Sequence, residues 1–182
     1  MKPDWPIETE RLVLRPFEEG DLDAFFVIQS DEESARWLYE EPRTREEARA
    51  LLERKMAGVE LRAEDDWLGA AVIERESGQL VGDLSLHWVS AEHKTGELGF
   101  IFDRAHQGRG YATEAARAFL AFGFEGMGFH RMIGRTEVRN TASARVLEKL
   151  GMRREALLVE NEWVKGEWQS ELVYAMLEHE WR

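Results

Sequence analysis

The 182-residue chain contains no cysteine, which excludes a disulfide framework, thiol catalysis and thiolate metal sites together. Proline is scarce: Pro3, Pro6, Pro16 and Pro42 all fall early, and no Pro-rich or low-complexity linker follows. A single domain over residues 1–182 is therefore expected. No apolar run approaches the roughly 18 residues needed to cross a bilayer. The opening Met1-Lys2-Pro3-Asp4-Trp5-Pro6 is charged and proline-broken where a secretory leader would be apolar. A soluble cytoplasmic protein is the expectation. Positive charge is in deficit: 24 Lys and Arg against 36 Asp and Glu leave a net charge of −12. That balance counts against nucleic acid and anionic membranes as partners. The five histidines, at 87, 93, 106, 130 and 179, form no i, i+4 pair, so no metal site is expected. A Gly-x-Ser-x-Gly nucleophile elbow is also missing.

What is present is clear periodicity. Arg11 to Arg15 alternates charged and apolar residues before Pro16, which predicts a strand. Leu22, Phe25, Phe26 and Gln29 recur at helical spacing behind Asp21 as a cap. Thr44 and Glu47 make a capping box ahead of a second helix that turns Ala48, Leu51, Leu52 and Met56 to one face. Strands are predicted from Trp67 to Arg75, Gln79 to Val89 and Thr95 to Asp103, as an antiparallel meander with a tight turn at Ser77-Gly78. A long helix from Gly110 carries Ala112, Ala115, Ala116, Phe119 and Leu120 on its inner stripe and ends near Gly126 and Gly128. Arg131 to Val138 reads as a further strand. Asn140 or Thr141 then caps a helix with Val146, Leu147 and Leu150 inward, stopped by Gly151. A hairpin, Leu157 to Val164 and Glu167 to Leu177, closes the chain across Lys165-Gly166. The sum is an α/β chain with about seven strands and about four helices. The tryptophans at 5, 37, 67, 88, 163, 168 and 181 are expected mostly in the core, with the Trp-rich hairpin a candidate homodimer surface.

The chemistry concentrates where the strand ending at Asp103 runs through Arg104-Ala105-His106-Gln107-Gly108-Arg109-Gly110 into a helix. Such a junction aims free backbone N–H groups and the positive end of a helix dipole at one point. Gly108 and Gly110 allow close approach of a phosphate, and Arg104 and Arg109 supply charge. A diphosphate ligand follows. It is not a P-loop ligand, since no Gly-Lys-Ser/Thr follows the turn. Nor is the dinucleotide fingerprint complete, because Thr113 stands at its third glycine and the upstream strands form a meander.

Gln107-x-x-Gly110-x-Ala112 resembles the acetyl-CoA signature of the GCN5-related N-acetyltransferases (GNAT). The opening Thr9-Glu10-Arg11-Leu12-Val13-Leu14-Arg15-Pro16 is similar to the start of the RimJ/RimL-like branch. Gly110-Tyr111-Ala112-Thr113-Glu114-Ala115, Asn140-x-x-Ser143 with Glu148-Lys149-Leu150-Gly151-Met152, and Lys165-Gly166-Glu167-Trp168 before Tyr174 extend the resemblance over residues 8–182. It implies a mostly antiparallel sheet splayed between strands 95–103 and 131–138. It also implies acetyl-CoA as co-substrate, held at Arg104, Gln107, Gly108, Arg109, Gly110, Tyr111, Ala112 and Thr113. The pantetheine arm would lie along Phe100 and Ile101 and meet Asn140 and Ser143. The implied acceptor is a primary amine, either a small molecule such as a polyamine or a protein N-terminus. A non-catalytic acyl-CoA-binding or regulatory protein of the same fold is the alternative.

An alkylammonium must lose a proton before it attacks a thioester, at a cost of roughly 4 kcal/mol near pH 7, against about 1 kcal/mol for an α-amino group. A base is required, a fixed donor must hold the oxyanion, and an acid for the leaving thiolate is useful. The resemblance points to Glu97 as base, or to Glu162, nineteen residues beyond Ser143, with Glu160 as a neighbour. For the acid it points to Ser143, then Tyr174, and for the acceptor wall to Trp37. The net charge of −12 favours a cationic acceptor.

Overall fold

Eight strands form one continuous sheet in the computed structural model, which describes residues 1–182. They are β1 (Ile7–Glu8), β2 (Leu12–Arg15), β3 (Trp67–Glu74), β4 (Leu80–Ser90), β5 (Thr95–Phe102), β6 (Arg131–Glu137), β7 (Arg153–Val164) and β8 (Glu167–Leu177). The helices are α1 (Leu22–Gln29), α2 (Glu32–Ala35), α3 (Arg45–Ala57), α4 (Tyr111–Ala121) and α5 (Thr141–Lys149). The strand order is β1-β2-β3-β4-β5-β6-β8-β7, and every pairing is antiparallel except β5 with β6. No helix is long and apolar enough to cross a membrane.

Strand alternation divides the apolar side chains between two layers. Leu12, Leu14, Leu84, Leu86 and Leu98 face α4 and α5, where Ala115, Ala116, Phe119, Leu120 and Leu147 complete the larger core. The opposite face packs Phe17, Leu22, Phe25, Ile28, Ala48 and Leu52 under α1 and α3. The capping box of α3 is formed as expected: Thr44 accepts from the Glu47 amide, and Glu47 accepts from the Thr44 amide at 2.8 Å.

Several expectations need correction. Asp21 does not cap α1. Its carboxylate grips Arg15 through two bonds of 2.7 and 2.8 Å and accepts from the Glu18 amide, so a 3₁₀ turn at Glu19–Asp21 leads into the helix. The sheet has eight strands and the chain five α-helices, where seven and four were expected. The two-residue β1 and four-residue α2 are too short to show a period. β7 starts at Arg153, four residues early, because Arg153-Arg154-Glu155 lies on an exposed sheet edge and carries no buried alternation. None of the seven tryptophans is fully buried; Trp67, Trp163 and Trp168 are exposed, the last two in edge-to-face contact on the closing hairpin.

Phe119 is fully buried at the centre of the larger layer. Phe119→Ala is expected to lower the unfolding free energy by about 3–5 kcal/mol, read from urea denaturation.

Candidate functional site

β5 and β6 pair over only three residues, Thr95↔Arg131, Gly96↔Met132 and Glu97↔Ile133. Beyond Glu97 the strands part, and the β5 edge is left without a neighbour on that side. A cavity of about 1240 Å³ occupies the opening and reaches from the start of α4, past β5 and α5, to the segment between α2 and α3.

At one end lies the turn into α4. Asp103 accepts from the Ala105 amide at 3.1 Å and contacts His106 Nδ1 at 2.8 Å, closing a short 3₁₀ turn. Gln107 Nε2 donates to the Phe102 carbonyl at 3.1 Å, pinning the turn to the end of β5. Gly108 and Gly110 then take φ of +77° and +85°, conformations that strain any residue with a Cβ. The backbone amides of Gly108 through Thr113 find no acceptor within the protein. They form the anion cradle expected at a helix start.

A clamp fixes that helix start. Glu114 in the first turn of α4 accepts from Thr9 Oγ1 at 2.6 Å, from the Arg11 amide at 2.8 Å and from Arg11 Nε at 2.8 Å. Arg11 also donates to the Arg109 carbonyl at 2.8 Å. Burial works against its charge, but these bonds hold the Glu114 carboxyl below the usual range. The Thr9-x-Arg11 and Gly110-to-Glu114 motifs, a hundred residues apart, are two halves of one structural joint.

At the other end Glu97 lines the cavity from β5, with Arg135 of β6 3.6 Å away. Burial pushes the Glu97 carboxyl up, Arg135 opposes that, and nearby Glu171 adds to it. Glu171 of β8, buried and 3.3 Å from Arg135, is a site neighbour that sequence reasoning missed. Its signal was an acidic residue in phase with half-buried Val173 and buried Ala175, two and four positions on, along a core strand. Asn140 caps α5, its Oδ1 accepting from the Ser143 amide at 3.1 Å, which leaves the side-chain amide available. Asn140 and Ser143 both line the cavity, and the Ser143 hydroxyl has no partner within the protein. Trp37 lines it too, with the Arg36 guanidinium 5.0 Å from its ring. Below α1 and α3, buried Asp83 bonds Lys55 at 2.8 Å and Gln29 at 3.2 Å, a floor that sequence reading also missed.

Phe100, Ile101, Arg104, Gln107, Gly108, Gly110, Tyr111, Ala112 and Thr113 all line this cavity. Other expected residues are not brought there. The Arg109 guanidinium turns toward Glu74, 3.5 Å away, so this residue offers the cradle only its amide. Tyr174 is 1% exposed and donates its hydroxyl to Glu148 at 3.0 Å, away from the cavity. Glu162 does not line the cavity, whereas Tyr39 reaches its wall. Burial, and after it the nearby Glu162 carboxylate, push the Tyr39 phenol far up. Glu160 is exposed on the sheet edge. Strand alternation explains Tyr174: it lies out of phase with Glu171 and Val173 on β8 and so faces α5.

Known proteins share this architecture. The profile of the acetyltransferase (GNAT) domain family matches residues 11–153. The uncharacterized N-acetyltransferase YnaD of Bacillus subtilis is 35% identical over 96% of this chain and 98% of its own. YdaF of the same organism, provisionally named a ribosomal N-acetyltransferase, is 25% identical over 94% of each chain. The crystal structure of a GNAT-family acetyltransferase from Bacillus anthracis superposes with a TM-score of 0.86 at 36% identity, covering 96% of this chain and 99% of that one. A spermidine N-acetyltransferase from Vibrio cholerae, solved with CoA and spermine, shares the fold at a TM-score of 0.80 and 22% identity over 95% and 99% of the two chains.

Carbon-13 NMR titration of the side-chain carboxyls is expected to find Glu97 above the ordinary glutamate range, and Arg135→Gln, by removing the opposing charge, is expected to raise it further. A Glu97 that titrates at or below the ordinary value would contradict this arrangement.

Proposed function

The chain belongs to the GNAT family of N-acetyltransferases, as a RimJ/RimL-like member, and from that premise we propose that it moves an acetyl group from acetyl-CoA directly to a cationic primary amine. The reading is carried by one observation: a single cavity joins an anion cradle of unpartnered amides to a carboxylate whose proton affinity is raised. The chain has no cysteine to hold an acyl group, which favours direct transfer.

The coenzyme diphosphate lies on the amides of Gly108 to Thr113 with Arg104 beside it, and the pantetheine arm follows the freed edge of β5 at Phe100 and Ile101. The side-chain amide of Asn140 meets the arm from the other side. Glu97 takes a proton from the acceptor ammonium, directly or through water. The neutral nitrogen attacks the thioester carbonyl, and an amide of β5 near Phe100 holds the oxyanion. As the intermediate collapses the C–N bond is kept, the C–S bond breaks, and its electron pair leaves on sulfur. The Ser143 hydroxyl supplies the thiolate with a proton and is restored by the proton that the acylated nitrogen sheds on becoming an amide. Trp37 and Tyr39 wall the acceptor end, where Glu97 and Glu171 outnumber Arg135 and suit an incoming cation. A polyamine, a protein N-terminus or another small amine meets this requirement; the spermidine enzyme of like fold supports the first, and YdaF the second.

Calorimetry is expected to show acetyl-CoA binding to the native chain, and a panel of amines to show free-thiol release. Absence of binding would sink the reading. Gly110→Val is expected to abolish binding by straining the cradle at φ +85°, with circular dichroism to check the fold. Ser143→Ala is expected to bind normally and turn over more slowly. Glu97→Gln should retain binding and lose roughly 10²–10⁴ in kcat. In the native enzyme only ionised Glu97 accepts a proton, so the rate should rise with pH through its raised pKa; that limb should vanish in Glu97→Gln.

A further inference from the structure

Trp37, Leu38 and Tyr39, at the acceptor end of the cavity, follow the four-residue α2 and belong to no helix or strand. So short a helix does not hold itself in place. Behind it lies a second cavity of about 470 Å³, bounded by Glu32, Arg36 and Glu41 on one side and by Lys165, Glu167 and Gln169 of the closing hairpin on the other. That lining is polar, so apolar packing does not carry the wall from behind. Lys165 crosses the gap: its Nζ donates to the carbonyl of Ala35, the last residue of α2, at 2.6 Å. The same carbonyl accepts from the Leu38 amide at 2.9 Å, so the ammonium grips the turn that presents Trp37, Leu38 and Tyr39 to the main cavity.

The hairpin suits this task in two ways. Its tip is anchored: Glu167 accepts from Arg139 Nη2 at 2.6 Å, and Arg139 Nε donates to buried Glu137 at 2.7 Å, which ties the arm carrying Lys165 to the end of β6. Trp163 and Trp168 stiffen the turn, their rings edge to face with centroids 5.2 Å apart. Second, Lys165 is a poor residue for the turn it occupies. Lys165 and Gly166 have φ of +50° and +81°, and a two-residue turn with both φ positive favours Asn, Asp or Gly at its first position. What lysine adds there is the ammonium on the Ala35 carbonyl. We propose that Lys165 is a positioning residue for the acceptor, holding the 37–39 wall where an amine is bound against Glu97. The inference rests on the proposed reading of that end of the cavity as the acceptor site. Without the bond the wall is in place for only part of the time, and the apparent KM for the amine rises in inverse proportion. Glu97, Ser143 and the α4 cradle are untouched, so kcat and coenzyme binding are not affected.

The test compares the native chain with Lys165→Asn, which suits the turn and removes the ammonium, and with Lys165→Arg, which keeps a long cationic donor. Spermidine and a short peptide with a free N-terminus serve as amines, and thiol release from acetyl-CoA is the readout. In Lys165→Asn the KM for the amine is expected to rise about tenfold, with kcat within about twofold of native. Acetyl-CoA affinity and the urea midpoint should stay close to native, since the better turn residue offsets the lost bond. Lys165→Arg should restore most of the KM. Hydrogen exchange over residues 34–40, read by mass spectrometry, should quicken in Lys165→Asn and slow again in Lys165→Arg, and this readout needs no turnover. Unchanged KM or unchanged exchange in Lys165→Asn overturns the positioning role. So does a parallel loss of kcat, coenzyme affinity and stability, which would make the bond a general support of the fold. A native chain that turns over neither amine overturns the transfer reading instead, and the exchange rates still decide whether Lys165 holds the wall.

Discussion

Everything at the site depends on the short parallel contact between β5 and β6. Three paired residues tie the two halves of the sheet together; past Glu97 and Ile133 the halves separate. Had the pairing continued, the β5 edge would have been satisfied by β6 and no cavity would exist. Because it stops, an extended ligand has a free strand edge to lie against, and both halves contribute walls. The parting is sustained from outside, by α4 and α5 packed on one face and α1 and α3 on the other.

The Glu114 clamp is the second requirement. A helix N-terminus offers amides only if those amides stay in place, and here Thr9 and Arg11 hold the first turn of α4 from across the sheet. The bond from Arg11 to the Arg109 carbonyl extends the clamp into the glycine turn. Fixing the cradle in advance removes the cost of ordering it when a ligand arrives. It also accounts for Arg109, whose charge is directed to Glu74 and away from the cavity. The overall acidity of the chain gives no hint of this local arrangement, since net charge describes the far field and a cradle acts over a few ångströms.

Much of the fold was legible because long elements repeat their signals. The Thr44–Glu47 capping box, the meander of β3 to β5, the glycine-led start of α4 and the Asn140 cap all follow from spacing a few residues wide. β1 and α2 were not legible, since two and four residues contain less than the period that would reveal them. Asp21 misled because a capping residue and an ion-pair partner look alike until Arg15 is brought beside it. The tryptophans misled because bulk and apolarity do not say whether a neighbouring element arrives to cover them.

By itself the sequence determined the order of the longer elements, the position of the glycine turn that leads into α4 and the family to which the chain belongs, because each is written in contiguous motifs. Only the tertiary structure decided which of the many acidic residues meet in one place. Glu97 and Glu171 converge on Arg135, Tyr39 stands between Glu162 and the cavity, and Tyr174 faces away from it. Those relations join residues dozens of positions apart through strand register and pairing, and a one-residue change of register would send each side chain to the opposite face of the sheet.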